Sequence, residues 1–142
     1  MQPERPVLYA ALICERVLHE EDGVNTLFRV IDTINIDLRD VSPDTSEQAL
    51  QVPESGVPLQ FFLYTKWGGP AGQYTERVTL IDTNNQEHNP WPEANFELRG
   101  GHYFQQIRHV IPLQIQRAGR YALRVYLNDH PFVEVPFQVN MD

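Results

Sequence analysis

The chain reads as all-β, a two-sheet antiparallel β-sandwich of about eight strands with an immunoglobulin-like or similar Greek-key arrangement. Apolar residues recur with a period of two along most of the chain, which places them on one face of an extended strand. Turn-forming residues punctuate these runs at short intervals. No stretch carries the 3.6-residue periodicity of an amphipathic helix. With 142 residues, 42% hydrophobic and 21% charged, the chain has the size and composition of one ordinary core, so residues 1–142 are expected to form a single domain.

The elements follow in order. Val7 to His19 and Asn25 to about Leu38 read as the first two strands, joined by Glu20-Glu21-Asp22-Gly23, whose Asp-Gly is a strong hairpin signal. Asp40 to Gly56 is polar, holds two prolines and reads as a crossover loop between sheets, with Asp44-Thr45-Ser46-Glu47 able to cap one helical turn through Leu50. A loop of this length is a candidate contact surface as well as a plain connection. Leu59, Phe61 and Leu63 alternate with Gln60, Phe62 and Tyr64 up to the breaker-rich Trp67-Gly68-Gly69-Pro70-Ala71-Gly72. That loop predicts a hairpin whose return strand is Tyr74 to Asp82, with Val78 and Leu80 inward. Phe96 and Leu98 mark a short strand, and Ile107, Ile111, Leu113 and Ile115 share one face of a longer one interrupted by His109. Tyr121, Leu123, Val125 and Leu127 form the cleanest alternation. Asn128-Asp129-His130-Pro131 turns it into a last strand with Val133, Val135, Phe137 and Val139 on one face.

Ala11-Leu12-Ile13-Cys14-Glu15-Arg16-Val17, then Asp22-Gly23, then Leu27-Phe28-Arg29-Val30-Ile31-Asp32-Thr33-Ile34, and late in the chain Gly119-Arg120-Tyr121, together resemble a family of small bacterial proteins defined only as a domain of unknown function. The resemblance covers about the first quarter plus one strand. It implies a β-sandwich and no established activity, so it assigns no functional residue. Where that family favours a small residue, often glycine, in the second strand, this chain has Arg29.

Nineteen acidic residues against eleven basic ones give a net charge of -8. Such a field repels phosphate backbones and anionic headgroups, and the basic residues do not cluster, so neither nucleic acid nor membrane is an expected partner. Cys14 is the only cysteine. An intrachain disulfide or a cysteine-based metal cluster is therefore excluded, which suits a reducing compartment. The sequence begins without the basic and apolar regions of a signal peptide and holds no window of membrane-spanning length, so a cytoplasmic protein is expected.

No Gly-x-Ser-x-Gly elbow, phosphate-cradling glycine loop or His-Glu-x-x-His pair is present, so the reading is not an enzyme, with no catalytic residue and no cofactor assigned. His102 and His109 lie an odd seven residues apart, on opposite faces if both lie on one strand. With His88 nearby they make a poor ligand set, and no metal site is assigned. Asp82-Thr83-Asn84-Asn85-Gln86-Glu87 concentrates oxygen ligands of the kind calcium takes, but tight turns select the same residues and the turn reading is favoured. Cys14, with apolar neighbours, is expected to be buried packing. Glu15 and Asp32 interrupt apolar runs; an inward carboxylate there needs a partner such as Arg16 or Arg29.

The best functional hint is aromatic. Pro90-Trp91-Pro92 holds an indole in a stiff segment, and Trp67, Tyr74 and Tyr103 also lie at loops or strand ends. These four are the candidate partner or ligand contacts. Phe62, Tyr64 and Tyr126 occupy outward positions, where they either make a sticky patch or lie beneath the long loop. The expected function is a non-catalytic protein-interaction or structural module, contacting a second copy of itself or another chain. The alternative is a carbohydrate or small-ligand domain that stacks its ligand on the loop aromatics.

Overall fold

The computed structural model of the chain describes residues 5–19, 24–37, 56–109 and 113–141. The strands are β1 (Val7–His19), β2 (Asn25–Val30), β3 (Thr33–Ile36), β4 (Val57–Leu59), β5 (Phe62–Gly68), β6 (Gly72–Ile81), β7 (Glu87–His88), β8 (Ala94–Leu98), β9 (Phe104–His109), β10 (Leu113–Ile115), β11 (Gly119–Leu127) and β12 (His130–Met141). One sheet runs β2-β1-β5-β9. The other runs β3-β12-β11-β6, with β7 and β8 sharing the far side of β6, and β4 pairs with β10 as a small separate ribbon. The two large sheets pack face to face as a β-sandwich. Their inner faces meet in one core, to which Ile13, Leu63 and Trp67 contribute from one sheet and Val78, Leu123, Val125, Phe137 and Val139 from the other. Each such side chain, fully withdrawn from water, contributes roughly 1.5–3 kcal/mol.

The β11–β12 hairpin forms where the alternation places it. Asn128 and Asp129 both take left-handed conformations (φ 47° and 65°), as a two-residue type I′ turn requires, and short polar side chains tolerate them best. The Gly-x-Tyr motif opening β11 has a local cause. Gly119 has φ 143°, and a Cβ there would stand 2.7 Å from Thr83 Cγ2. The buried Tyr121 hydroxyl then donates to the Arg117 carbonyl at 2.7 Å, tying the strand to the turn before it.

Three connections differ from the sequence reading. The predicted second strand is two strands in two sheets. Ile31 N–H still bonds the Ile13 carbonyl in β1 (2.7 Å), while the next residue, Asp32, accepts from Gln138 N–H in β12 (2.8 Å). The chain thus changes sheets between neighbouring residues, helped by Arg29, which is left-handed at φ 51°. A glycine would meet that conformation without strain. Beyond the switch, β3 joins β12 in parallel, so the second sheet is mixed rather than wholly antiparallel.

The predicted hairpin between β5 and the following strand is an arch instead. Both edges of β5 are taken, by β1 and β9, so β6 crosses to the opposite sheet. Gly69 makes this possible: φ is 132°, and a Cβ would meet Pro6 Cα at 2.8 Å. The predicted long strand through Ile107 and Ile115 is also divided, with β9 in the first sheet and β10 paired with β4.

Finally, β1 pairs with β5 only as far as Cys14, and with β2 from Cys14 onward. Its outer half curls with β2 over the outer face of the first sheet. Asn25 Nδ2 consequently reaches Gln105 Oε1 in β9 at 2.8 Å, where the Tyr64 hydroxyl also donates. This explains why Tyr64 and Cys14, on nominally outward positions, are buried. The Asp22-Gly23 turn, most of the Asp40 to Gly56 loop, and Ile111 lie outside the described residues.

Candidate binding surface

The interior holds a polar cluster built on one carboxylate. Inward positions of β6 are residues 74, 76, 78 and 80, so Glu76 faces the core between Tyr74 and Val78, with no exposure. Its Oε2 accepts from Thr65 Oγ1 (2.8 Å) and Trp67 Nε1 (2.6 Å), and its Oε1 from Arg108 Nε (2.8 Å). Arg108 further donates to the Glu76 carbonyl at 2.6 Å and to the Pro92 carbonyl at 2.7 Å. The cluster fastens β5, β6, β9 and the segment after Trp91 to one another across the sandwich. Every ionic group in it has its partners, as burial of charge demands.

Trp67 is therefore no surface contact. It is fully buried, with its indole N–H spent on Glu76 and its ring stacked near Phe96 (6.2 Å) and met edge-on by Phe132 (5.0 Å). Trp91 is likewise core, only 9% exposed, because its two prolines hold it down over the sandwich interior. Trp91 Nε1 and Gln106 Oε1, a donor and an acceptor, are buried without hydrogen-bond partners among the described residues. A stacking platform made of all four candidate aromatics consequently does not exist.

The remaining two candidates lie at one end of the sandwich, where β1, β6, β9 and β12 begin and β5, β8 and β11 end. Tyr74 is half-buried, donates its hydroxyl to the Pro70 carbonyl at 2.9 Å and stacks on Phe96 (5.9 Å). Tyr103 is 60% exposed and pairs edge-to-face with Tyr9, itself 55% exposed, at 5.2 Å. The two rings stand over Gly68, where a Cβ would come within 2.7 Å of Tyr9 and 3.0 Å of Tyr103. Lys66, the chain's sole lysine, places its Nζ 4.7 Å from the Tyr103 ring centroid, within cation–π range. Sequence reading missed Tyr9 and Lys66. The signal was a glycine in a strand, a position that facing aromatic rings commonly cover.

Beside this pair opens a cavity of about 500 Å³, with Tyr74, Leu127 and Phe132 among its walls and Arg5 and His130 among its polar lining.

Other sequence candidates serve the turns and the outer face of the second sheet. Asp82 Oδ1 accepts the N–H groups of Asn84 (2.8 Å) and Gln86 (2.9 Å), and Oδ2 meets His88 Nε2 at 2.7 Å. The His88 hydrogen bond, chiefly, holds the Asp82 carboxyl below its usual range. Glu87, in the same loop, turns away to Thr79, Tyr126 and Arg124. The Tyr126 hydroxyl, then Thr79 and the Arg124 charge, lower its pKa against the cost of desolvation. The loop's carboxylates thus serve the turn and the sheet. No group of three metal-capable side chains occurs among the described residues. Burial raises the Cys14 thiol's pKa, which suppresses the thiolate. Glu15 pairs with Arg29 at 3.1 Å in solvent rather than inward.

No protein-family model matches the chain, and no curated protein matches it in sequence. Among solved structures, a β-glucosidase from Listeria innocua superposes with a TM-score of 0.52 at 8% identity, over 96% of this chain and 16% of the enzyme. The alkylpurine DNA glycosylase AlkC of Pseudomonas fluorescens, bound to DNA, superposes with a TM-score of 0.38 at 10% identity, over 92% of this chain and 30% of that one. The chain thus spans only a minor part of each of these proteins. At such identities the first likeness concerns the sandwich fold alone, which hosts unrelated functions. No helix among the described residues is long and apolar enough to cross a membrane.

Proposed function

We propose that this chain is a non-catalytic protein-interaction module whose contact face is the Tyr9–Tyr103 end of the sandwich. One observation carries the reading: two tyrosines more than half exposed stand in mutual contact over a strand glycine, with the chain's sole lysine against one of them. Large rings already held in place present apolar area at small entropic cost, and tyrosine is enriched among residues that dominate interface energy. The non-catalytic part is supported by the carboxylates of Glu76 in the interior and of Asp82 and Glu87 at the surface, each of which is engaged by structural donors.

The reading extends to membership of the small bacterial family that the first hairpin and the Gly-x-Tyr strand resemble. The residues behind that resemblance serve the fold here: Cys14 is buried packing, Arg29 sits at the sheet switch, and Gly119 and Tyr121 set the opening of β11. An immunoglobulin-like Greek key is supported by the Tyr121 hydroxyl bonding back to the backbone of the preceding turn. A lone buried cysteine supports a reducing, cytoplasmic setting.

The test is affinity purification of the tagged protein from its native host, with the mass of the pure protein measured in solution. A stoichiometric partner or defined oligomer is expected with the unaltered chain and with Glu134→Gln, and its loss with Tyr9→Ser/Tyr103→Ser. Retention by the double variant, or a monomer that carries nothing, overturns the proposal.

A further inference from the structure

The cavity beside the tyrosine pair has walls of one character and a rim of another. Its volume, about 500 Å³, lies within the range of small-molecule sites. Tyr74 and Phe132 form flat sides and Leu127, 2% exposed, closes the floor. These walls are held from behind. Tyr74 is fixed by its bond to the Pro70 carbonyl and by Phe96, Phe132 leans on the buried Trp67, and Pro6 is pressed against Gly69.

The rim holds one guanidinium and is donor-rich. Arg5 and His130 line the cavity and, among the described residues, no carboxylate does, in a chain whose net charge is -8. Asp129, between Asn128 and His130 in the turn, is drawn to Arg77 at 3.7 Å. Asn128 also lines the opening; its carbonyl oxygen accepts Thr75 N–H at 2.9 Å, so the group it has left to present is the amide NH2. A guanidinium and an amide donor above flat apolar walls match one chemistry, a ring carrying a single anionic oxygen group.

We infer that this cavity binds a small aromatic monocarboxylate, with the ring between Tyr74 and Phe132 and the carboxylate at Arg5. The site is separate from the Tyr9–Tyr103 contact face and does not depend on it.

The test is titration of the 15N-labelled protein with 3-phenylpropionate, followed by amide chemical shifts, with 3-phenylpropanamide as the uncharged control and acetate as the ringless one. The expected result is saturable shifts centred on residues 5, 74, 127, 128, 130 and 132 for the aromatic acid. Affinity for the amide should be weaker by about ten-fold or more, the worth of one charge-assisted contact, and affinity for acetate by about ten-fold or more through loss of the buried ring. Arg5→Gln should cut affinity for the acid by a similar factor and leave affinity for the amide unchanged. Tyr103→Ser should leave both unchanged, which separates this site from the proposed contact face. Absence of saturable shifts, equal affinity for acid and amide, or shifts centred elsewhere overturns the inference. Because Arg5 lies outside every strand, its replacement keeps the fold. Phe132→Leu, which retains an apolar wall but removes the ring, gives a second measure and should also weaken the acid.

Discussion

Glu76 and Glu87 are two carboxylates with nearly the same partners in opposite settings. Each accepts from a threonine hydroxyl, from an aromatic side chain's N–H or O–H, and from an arginine. Glu76 does so inside the sandwich with no exposure, whereas the side chain of Glu87 keeps 36% of its surface in water. The difference teaches where such a cluster matters. In the interior no water can replace a lost partner, so the cluster holds the sheets in one registry. On the outer face solvent competes for each group, and the same bonds only trim the sheet edge.

The largest expected effect comes from breaking the inner member. Glu76→Ala leaves Arg108, Trp67 and Thr65 buried without their acceptor and should destabilise by about 3–5 kcal/mol, read as a lowered urea midpoint. A loss below about 1 kcal/mol would show that water enters the interface and would erase the contrast. Glu87→Gln should cost roughly 1 kcal/mol, discounted for its exposure, and more at low than at high salt.

The outer member also carries an acid signature. Its folded-state pKa is depressed, so its contribution is complete above the unfolded carboxylate value, about 4.3, and is lost as pH falls through the lower folded value. The stability gap between the unaltered chain and Glu87→Gln should therefore be full at about pH 7 and close progressively in acid. A gap that widened as pH fell would contradict the assigned bonds.

The smallest effect is expected at the sheet switch. Arg29→Gly removes an ion pair between exposed side chains but relieves a left-handed conformation that costs a non-glycine residue about 1–2 kcal/mol. The outcome should lie between neutrality and a gain of about 1 kcal/mol by the same urea measurement.

How far the sequence exposes this arrangement follows from what is local. Period-two alternation marks β1, β5, β11 and β12, and turn chemistry alone places the Asn128–Asp129 hairpin, because both depend on neighbours in the chain. The sheet changes at Ile31–Asp32 and at Gly68–Gly72 are not local. A hairpin and an arch use similar breakers, and which one forms depends on whether the edge of β5 is already occupied by a distant strand. The Glu76 cluster was within reach, since the parity that turns Val78 and Leu80 inward also turns Glu76 inward. By the same rule Leu63 points to Thr65 and Trp67 as its facing donors. Reading Trp67 as a loop residue hid that rule, because the strand continues through it to Gly68. For the candidate surface, Tyr103 and Tyr74 were legible as strand-end aromatics. Tyr9 was not, because its place opposite Tyr103 depends on a register irregularity between Leu8 and Ala10.

The parallel pairing of β3 with β12 bears on how the molecule carries force. Val7 begins β1 at the tyrosine end, while Met141, paired with Ile36, ends β12 at the opposite one. Tension between those points runs along the strands and across their hydrogen bonds. β12 is held by β11 along residues 130–139 and by β3 along residues 138–141, so a pull at its end must shear it past a neighbour at every position, with rungs loaded together instead of peeling away one at a time. A domain threaded in this way transmits a pull along its axis with little extension before it yields.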